Sequence, residues 1–431
     1  MKKLLLFFLL TSQFAVFAQN PAPGKPQTRA VALVGGTIHV GNGQVIENGV
    51  LVFENGLIKT VGTAQTTFDR TTTDVVEVAG KHVYPGLIAA ASTVGLSEIA
   101  SVRATVDNAE TGQINPNVRA LVAYSADSEI IPTVRGNGVL VVQAAPTGGV
   151  ITGQSSVFQL DGWNWEDAVL KADDGIWMDY PPLFSRGGGG FDGPTALRKN
   201  DNRQPILTEL ERTFADARAY TELKNGGVPN LKLEAMRGLF DGTKALYINA
   251  DYGRDIIEAV KFAQKSGVKR PVIVGGAQAS QCLDFLKENN IPVILGGVHE
   301  LPYRTDDDVD LPYKLPSILQ KAGIQVVISY AGLSWRSRNL PFLAGTAAGF
   351  GLDKEEALKM ITANAAQILG IADKVGTLET GKHATLLISK GDLLDMRTSV
   401  VERAWIQGRA VDLDDKQKRL YRKFSEKYDT K

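Results

Sequence analysis

Four histidines, one cysteine and dispersed carboxylates are what this chain of 431 residues offers for metal or nucleophilic chemistry. His39 stands in a β-rich N-terminal region, His82 just before a long apolar run, and His383 after Gly381-Lys382. Ordinary surface or turn positions account for these three. His299, in Gly296-Gly297-Val298-His299-Glu300-Leu301-Pro302, follows an apolar run that reads as a strand. It is therefore the one histidine expected at the mouth of a barrel, as a candidate pocket contact and not as a metal site. Cys282 occupies an apolar helical position in Ala279–Leu286 with no histidine nearby in sequence, which suits a buried structural thiol and not a nucleophile.

Three further motifs fail on their chemistry. Gly376-x-x-x-x-Gly381-Lys382 has the glycines and lysine of a phosphate loop, but His383 stands where Ser or Thr must follow. Asp306-Asp307-Asp308 with Asp310 lacks the turn glycine and bidentate glutamate of an EF-hand loop, so it reads as a solvated acidic segment. No G-x-S-x-G elbow occurs. Trp163, Trp165, Trp177 and Trp335 are expected in aromatic core packing before any pocket.

The elements that would position such residues are legible in order. Met1-Lys2-Lys3 precedes Leu4–Leu10 and a softer apolar run ending Val16-Phe17-Ala18. About 15 apolar residues are short of the ~20 that span a bilayer. Residues 1–18 are thus expected to be a secretory signal peptide cleaved after Ala18, giving a periplasmic or secreted protein with no membrane span. Residues 19–29 form a Pro/Gly/Gln linker expected to lack fixed structure. Lysine plus arginine and aspartate plus glutamate each number 47, so no net field draws the chain to nucleic acid or lipid. A single cysteine excludes an internal disulfide framework.

Residues 30–83 alternate and turn like a small β domain, with an Asn55-Gly56 hairpin. Residues 371–412 return to the same pattern, so the two ends are expected to close one composite β-sandwich domain. Between them, residues 84–370 alternate short apolar runs (Val139–Val142, Ala245–Ile248, Pro271–Val274, Pro292–Leu295, Val326–Ile328) with helical stretches such as Asp255–Ala263 and Lys354–Leu369. This is an α/β pattern of parallel βα units. A doubly wound open sheet fits it too, but the length and the flanking β domain favour a (β/α)8 TIM-like barrel. Gly187–Gly190 reads as a flexible loop inserted in the barrel, and residues 413–431 as a charged, exposed terminal helix.

The stretch Val83-Tyr84-Pro85-Gly86-Leu87-Ile88 resembles the entry to the first barrel strand in the amidohydrolase superfamily, in its imidazolonepropionase-like, metal-dependent branch. Val150–Trp163, Ile361–Gly370 with Val375–Lys382, and Val401–Val411 resemble the same family, so the likeness covers residues 30–412. The family implies zinc or another divalent metal held by histidines and an aspartate at the strand ends. Laid on that pattern, Ala91 and Thr93 stand at the paired histidines of the first strand, and Ala89 at the aspartate before them. Asn249 stands at the third histidine, Gly275 at the fourth, and Ala331 at the water-activating aspartate. None of the five metal-site positions, Ala91, Thr93, Asn249, Gly275 and Ala331, is an imidazole or carboxylate.

The expectation is therefore an exported amidohydrolase-like protein without a cofactor, its metal site and hydrolytic activity lost. What remains is binding, of a small molecule in the emptied pocket or of a partner in a homo-oligomer or a complex with an active paralogue. The competing reading is an active hydrolase of amide C–N bonds that uses displaced ligands such as His299 and loop carboxylates.

Overall fold

The computed structural model describes residues 22–186, 197–222, 229–332 and 334–428. The expected signal peptide (1–18) and the glycine loop Gly187–Gly190 lie outside them.

The first sheet is built from both ends of the chain. Ala30–His39, Val45–Glu54 and Leu57–Gly62 form an antiparallel ribbon. The two-residue turn between the last two has Asn55 at φ 53° and Gly56 at φ 78°, the left-handed pair that matches strand twist. From the far end, Leu386–Ser389 pairs antiparallel with His82–Pro85, and Val401–Ile406 continues the sheet outward. Leu33, Leu51, Phe53, Val83, Leu386, Ile388 and Trp405 form its core. The preceding segment is tied down, contrary to the expected loose linker. Gly24 N–H donates to Asp161 (3.2 Å), and Gln27 bonds Phe53 O (3.0 Å) and Gly56 N–H (3.1 Å).

Pro85-Gly86 carries the chain from this sheet into the barrel. A Cβ at Gly86 would lie 2.9 Å from both Leu140 and Thr385, so only glycine allows the close passage. The barrel strands are β1 Leu87–Ser92, β2 Val139–Ala144, β3 Ile151–Gln159, β4 Val169–Asp179, β5 Ala245–Ala250, β6 Pro271–Gly275, β7 Val293–Leu295 and β8 Val326–Ile328. They pair in this order, and β8 returns to β1 through Gly332 N–H to Ala91 O (3.0 Å) and the Ser329 hydroxyl on Ala90 O. Ile88, Val141, Val157, Trp177, Tyr247, Val272, Ile294 and Val327 fill the interior.

The expected βα alternation holds from β4 to β8 and breaks at β3, which runs antiparallel to both neighbours. The physical reason is connection length. Six residues join β2 to β3 and nine join β3 to β4, whereas a parallel crossover needs a dozen or more.

Two histidines expected at ordinary surface positions meet at the seam between sheet and barrel. His39 Nδ1 lies 2.7 Å from Glu355 Oε1, its Nε2 lies 3.0 Å from His82 Nδ1, and its ring stacks on Tyr84 at 4.3 Å. Glu355 is placed by Asp353, whose carboxylate caps Lys354–Met360 through the N–H groups of Glu355 (2.8 Å) and Glu356 (3.1 Å). Burial, and then the neighbouring His39, hold His82 below its usual pKa, with Lys354 also lowering it and Asp392 and Glu47 pulling it back up. Unfolded His82 therefore takes up protons near pH 6.5 before the native imidazole does. Stability falls as pH drops from there through the lowered native value. His82→Gln is expected to flatten this limb of a stability–pH curve measured by urea unfolding between pH 7.5 and 5. An unchanged slope would place the acid sensitivity elsewhere.

Candidate functional site

A cavity of about 420 Å³ opens at the carboxyl ends of β5–β8, the end where barrel chemistry resides. Its polar lining comes from Asn249, Asp251, Glu300 and Tyr303; Val274, Leu295, Leu301, Leu311 and Leu315 form apolar walls.

Three of the five positions singled out in sequence line this cavity: Asn249, Gly275 and Ala331. Asn249 is the penultimate residue of β5, paired in register with Val274 of β6, and its amide donates to Asp179 at the end of β4. Gly275 ends β6 at φ 92°, and a Cβ there would lie 2.6 Å from Asp251 Oδ1. A Cβ at Gly296 would be 3.5 Å from Gly275 Cα and 3.8 Å from the Ala331 methyl, so the ends of β6, β7 and β8 converge.

Ala91 and Thr93 adjoin this group through Gly332. Its N–H bonds Ala91 O at 3.0 Å, and its carbonyl lies 3.4 Å from the buried Thr93 hydroxyl. Ala91 is left-handed, at φ 54°, with its N–H held by Gln143 Oε1 at 3.0 Å.

His299 does not line the cavity, contrary to its expected place there. Its Nε2 is 2.7 Å from the Thr346 hydroxyl on the helix Leu340–Gly349, while its neighbours Glu300 and Leu301 face the opening. The Thr346 hydroxyl supplies the half-buried ring with a partner, and burial lowers its pKa. Cys282 is buried, and burial pushes its thiol up to about 11, so little thiolate exists at neutral pH. Trp163 and Trp335 are exposed and Trp177 is buried in the barrel interior.

Sequence reading missed the polar network inside the barrel. Asp174 on β4 accepts from Ser155 Oγ (2.7 Å, β3), Gln143 Nε2 (2.8 Å, β2) and Tyr247 OH (2.7 Å, β5). Gln143 thereby links Asp174 to the Ala91 backbone. Burial raises the Asp174 pKa; the Ser155, Tyr247 and Gln143 hydrogen bonds and the charge of Lys171 oppose that rise. The one available sign was Gln143, a polar residue ending the apolar run Val139–Val142. Reading also missed Asp179 and Asp251, both with pKa values raised by burial.

Fold and pocket together define an α/β barrel closed by a composite β domain, with a cavity at the carboxyl ends of its strands. The amidohydrolase family model matches residues 314–411. An amidohydrolase from Thermotoga maritima shares the fold at a TM-score of 0.76 and 24% identity, covering 89% of this chain and 99% of its own. Molinate hydrolase (TM-score 0.56, 13% identity, 91% and 95% covered) and a zinc-bound adenosine deaminase from Xanthomonas campestris (0.52, 15%, 94% and 100%) are similar in fold. No curated protein matches the chain.

The family implies a divalent metal, and the donor chemistry here does not fit one. Zinc takes imidazole, carboxylate or thiolate at about 2.0–2.3 Å. The five positions offer two methyl groups, one hydrogen, one hydroxyl and a carboxamide already donating to Asp179. Among the described residues no group of three or more His, Cys, Asp or Glu could hold a metal ion.

Proposed function

We propose that this protein is an exported amidohydrolase-like binding protein that has lost the metal-dependent hydrolysis of its family. The observation that carries the reading is an open cavity at the carboxyl end of the barrel, lined by Asn249, Gly275 and Ala331 and adjoined by Ala91 and Thr93, none of them an imidazole or carboxylate. Without a bound cation, a water molecule keeps a pKa near its bulk value in place of the ~7 that makes it a nucleophile. Export rests on the basic start and apolar run of residues 1–18.

The lining indicates what the cavity would take. Asp251 and Glu300 face it, and among the described residues no lysine, arginine or histidine lines it. Asp251 Oδ1 accepts from Ala277 N–H at 3.2 Å. Apolar walls beside carboxylates favour a small organic cation, such as an amine on a hydrocarbon body, since a charge-assisted hydrogen bond in a partly dry site is stronger than a neutral one.

Isothermal titration with a panel of alkyl and aryl amines and their isosteric carboxylic acids tests this. Amines are expected to bind and acids not, with Asp251→Asn weakening the amines about tenfold. Preference for the acids would contradict the assignment. Zinc-dependent amide turnover by metal-loaded protein would overturn the binding-protein reading itself and favour a working hydrolase, for which the half-buried Asp179 and Asp251 would be the acid–base candidates.

A further inference from the structure

The chain as a whole is charge-balanced, but its last described helix is not. Lys416–Tyr428 carries six basic residues (Lys416, Lys418, Arg419, Arg422, Lys423, Lys427) against one acid, Glu426. None of its side chains is buried. It is held to the body by polar contacts: the Thr133 hydroxyl donates to Gln417 in the first turn at 3.0 Å, and Arg419 pairs with Glu129 at 3.3 Å. Arg422 and Lys418 pair with Asp414 and Asp415, at 2.7 and 3.3 Å, in the turn that leads into the helix. Three basic side chains are thereby satisfied by the protein's own carboxylates.

Another side is different in kind. Leu420, Phe424 and Tyr428 recur every fourth residue, and with Tyr421 they fall within an arc of about 100° on a helix of 3.6 residues per turn. They are 42%, 47%, 65% and, for Tyr421, 75% exposed, although three of the four are aromatic. The remaining lysines, Lys416, Lys423 and Lys427, run along one margin of that arc by the same geometry. All three are exposed, and among the described residues none has a carboxylate partner. Lys427 instead lies over the Tyr428 ring, 5.0 Å from its centroid.

We propose that the helix Lys416–Tyr428 is a foot that seats the protein on an anionic lipid surface. Leu420, Phe424 and the two tyrosines enter the headgroup boundary while the lysine margin meets lipid phosphates. An apolar stripe beside unpaired lysines, on a helix whose Arg419 and Arg422 ion pairs fall on the opposite side, is the arrangement that lies in a membrane interface without crossing it. Lysine stems cover apolar surface while their ammonium groups stay among the headgroups. Charge decides against a second copy of the chain on this stripe. An antiparallel symmetric pair would set two lysine margins together, whereas an anionic surface neutralises them.

Co-sedimentation of the full mature chain with phosphatidylglycerol–phosphatidylcholine vesicles tests the proposal, with pure phosphatidylcholine vesicles as the reference. The expected result is pelleting with the anionic vesicles alone, lost in 0.5 M NaCl as the charges are screened. Lys416→Glu/Lys423→Glu/Lys427→Glu should lower the vesicle partition coefficient by at least about tenfold, each lysine near an anionic surface contributing several-fold. Leu420→Ser/Phe424→Ser should lower it comparably. Because no residue of the helix is buried, both variants should keep the parent melting temperature. Absent pelleting, equal pelleting with both vesicle types, or pelleting indifferent to the charge reversal would overturn it. So would light scattering that shows a dimer dissolved by Leu420→Ser/Phe424→Ser, which would give the stripe to a second copy.

Discussion

Asp174→Ala is expected to cost about 3–5 kcal/mol of stability, the scale for removing one partner from a buried charged network. Asp174 sits fully buried in the barrel interior and collects three donors from three different strands: Ser155, Gln143 and Tyr247. Truncation leaves those donors without their shared acceptor, at about 1–3 kcal/mol for each unsatisfied group. The loss would consume a large share of the ~5–15 kcal/mol available to a typical domain. Gln143 also holds the left-handed Ala91 through its backbone N–H, so the damage should reach the rim of the cavity. Asp174→Asn keeps one acceptor and should cost less. Urea unfolding of the two variants beside the parent measures both; a loss below about 1 kcal/mol for the alanine would mean that the network is rewired with little strain.

Returning an imidazole to β6 should also be costly. Gly275→His is expected to destabilise by about 2–3 kcal/mol, because two penalties add. The residue is held at φ 92°, where a Cβ collides with its own backbone at about 1–2 kcal/mol. That Cβ would also press within 2.6 Å of Asp251 Oδ1 and displace the carboxylate from Ala277 N–H, a bond worth roughly 1 kcal/mol. Ala331→His on the facing wall meets no such backbone constraint and should cost less. Equal losses for the two in urea unfolding would remove the argument from backbone geometry. The comparison bears on function: with its backbone set as it is, the end of β6 has room for a glycine and poor room for a ligand.

Much of the fold could be read from residue type. The β-branched runs at 139–142, 245–248, 271–274 and 326–328 are barrel strands because they are buried on both faces, and Asn55-Gly56 is a hairpin because only such residues accept two left-handed conformations in succession. The antiparallel pairing of β3 with β4 was harder. Val169–Asp179 carries Lys171, Asp173 and Asp174, which hide a strand from any apolar pattern, and their charges are explained only by partners distant in sequence. The His39–His82–Glu355 chain was illegible for the same reason, since its members are separated by 43 and 316 residues. The placement of Asn249, Gly275 and Ala331 on one cavity followed from strand-end positions, which topology makes neighbours. His299 also follows a strand, yet a hydroxyl on the helix Leu340–Gly349 takes its ring elsewhere, and nothing in the local sequence announces Thr346 as its partner.

The central claim, that of the proposed function, is that this barrel works without the metal of the amidohydrolases it resembles. Elemental analysis of the purified mature protein for zinc, iron, manganese and nickel tests it most directly, paired with thermal melts with and without a strong chelator. The account predicts substoichiometric metal that dialysis removes and one cooperative melt indifferent to the chelator. Near-stoichiometric metal that survives dialysis, with a melting temperature lowered by chelation, would contradict it and put a working metal-dependent hydrolase in its place.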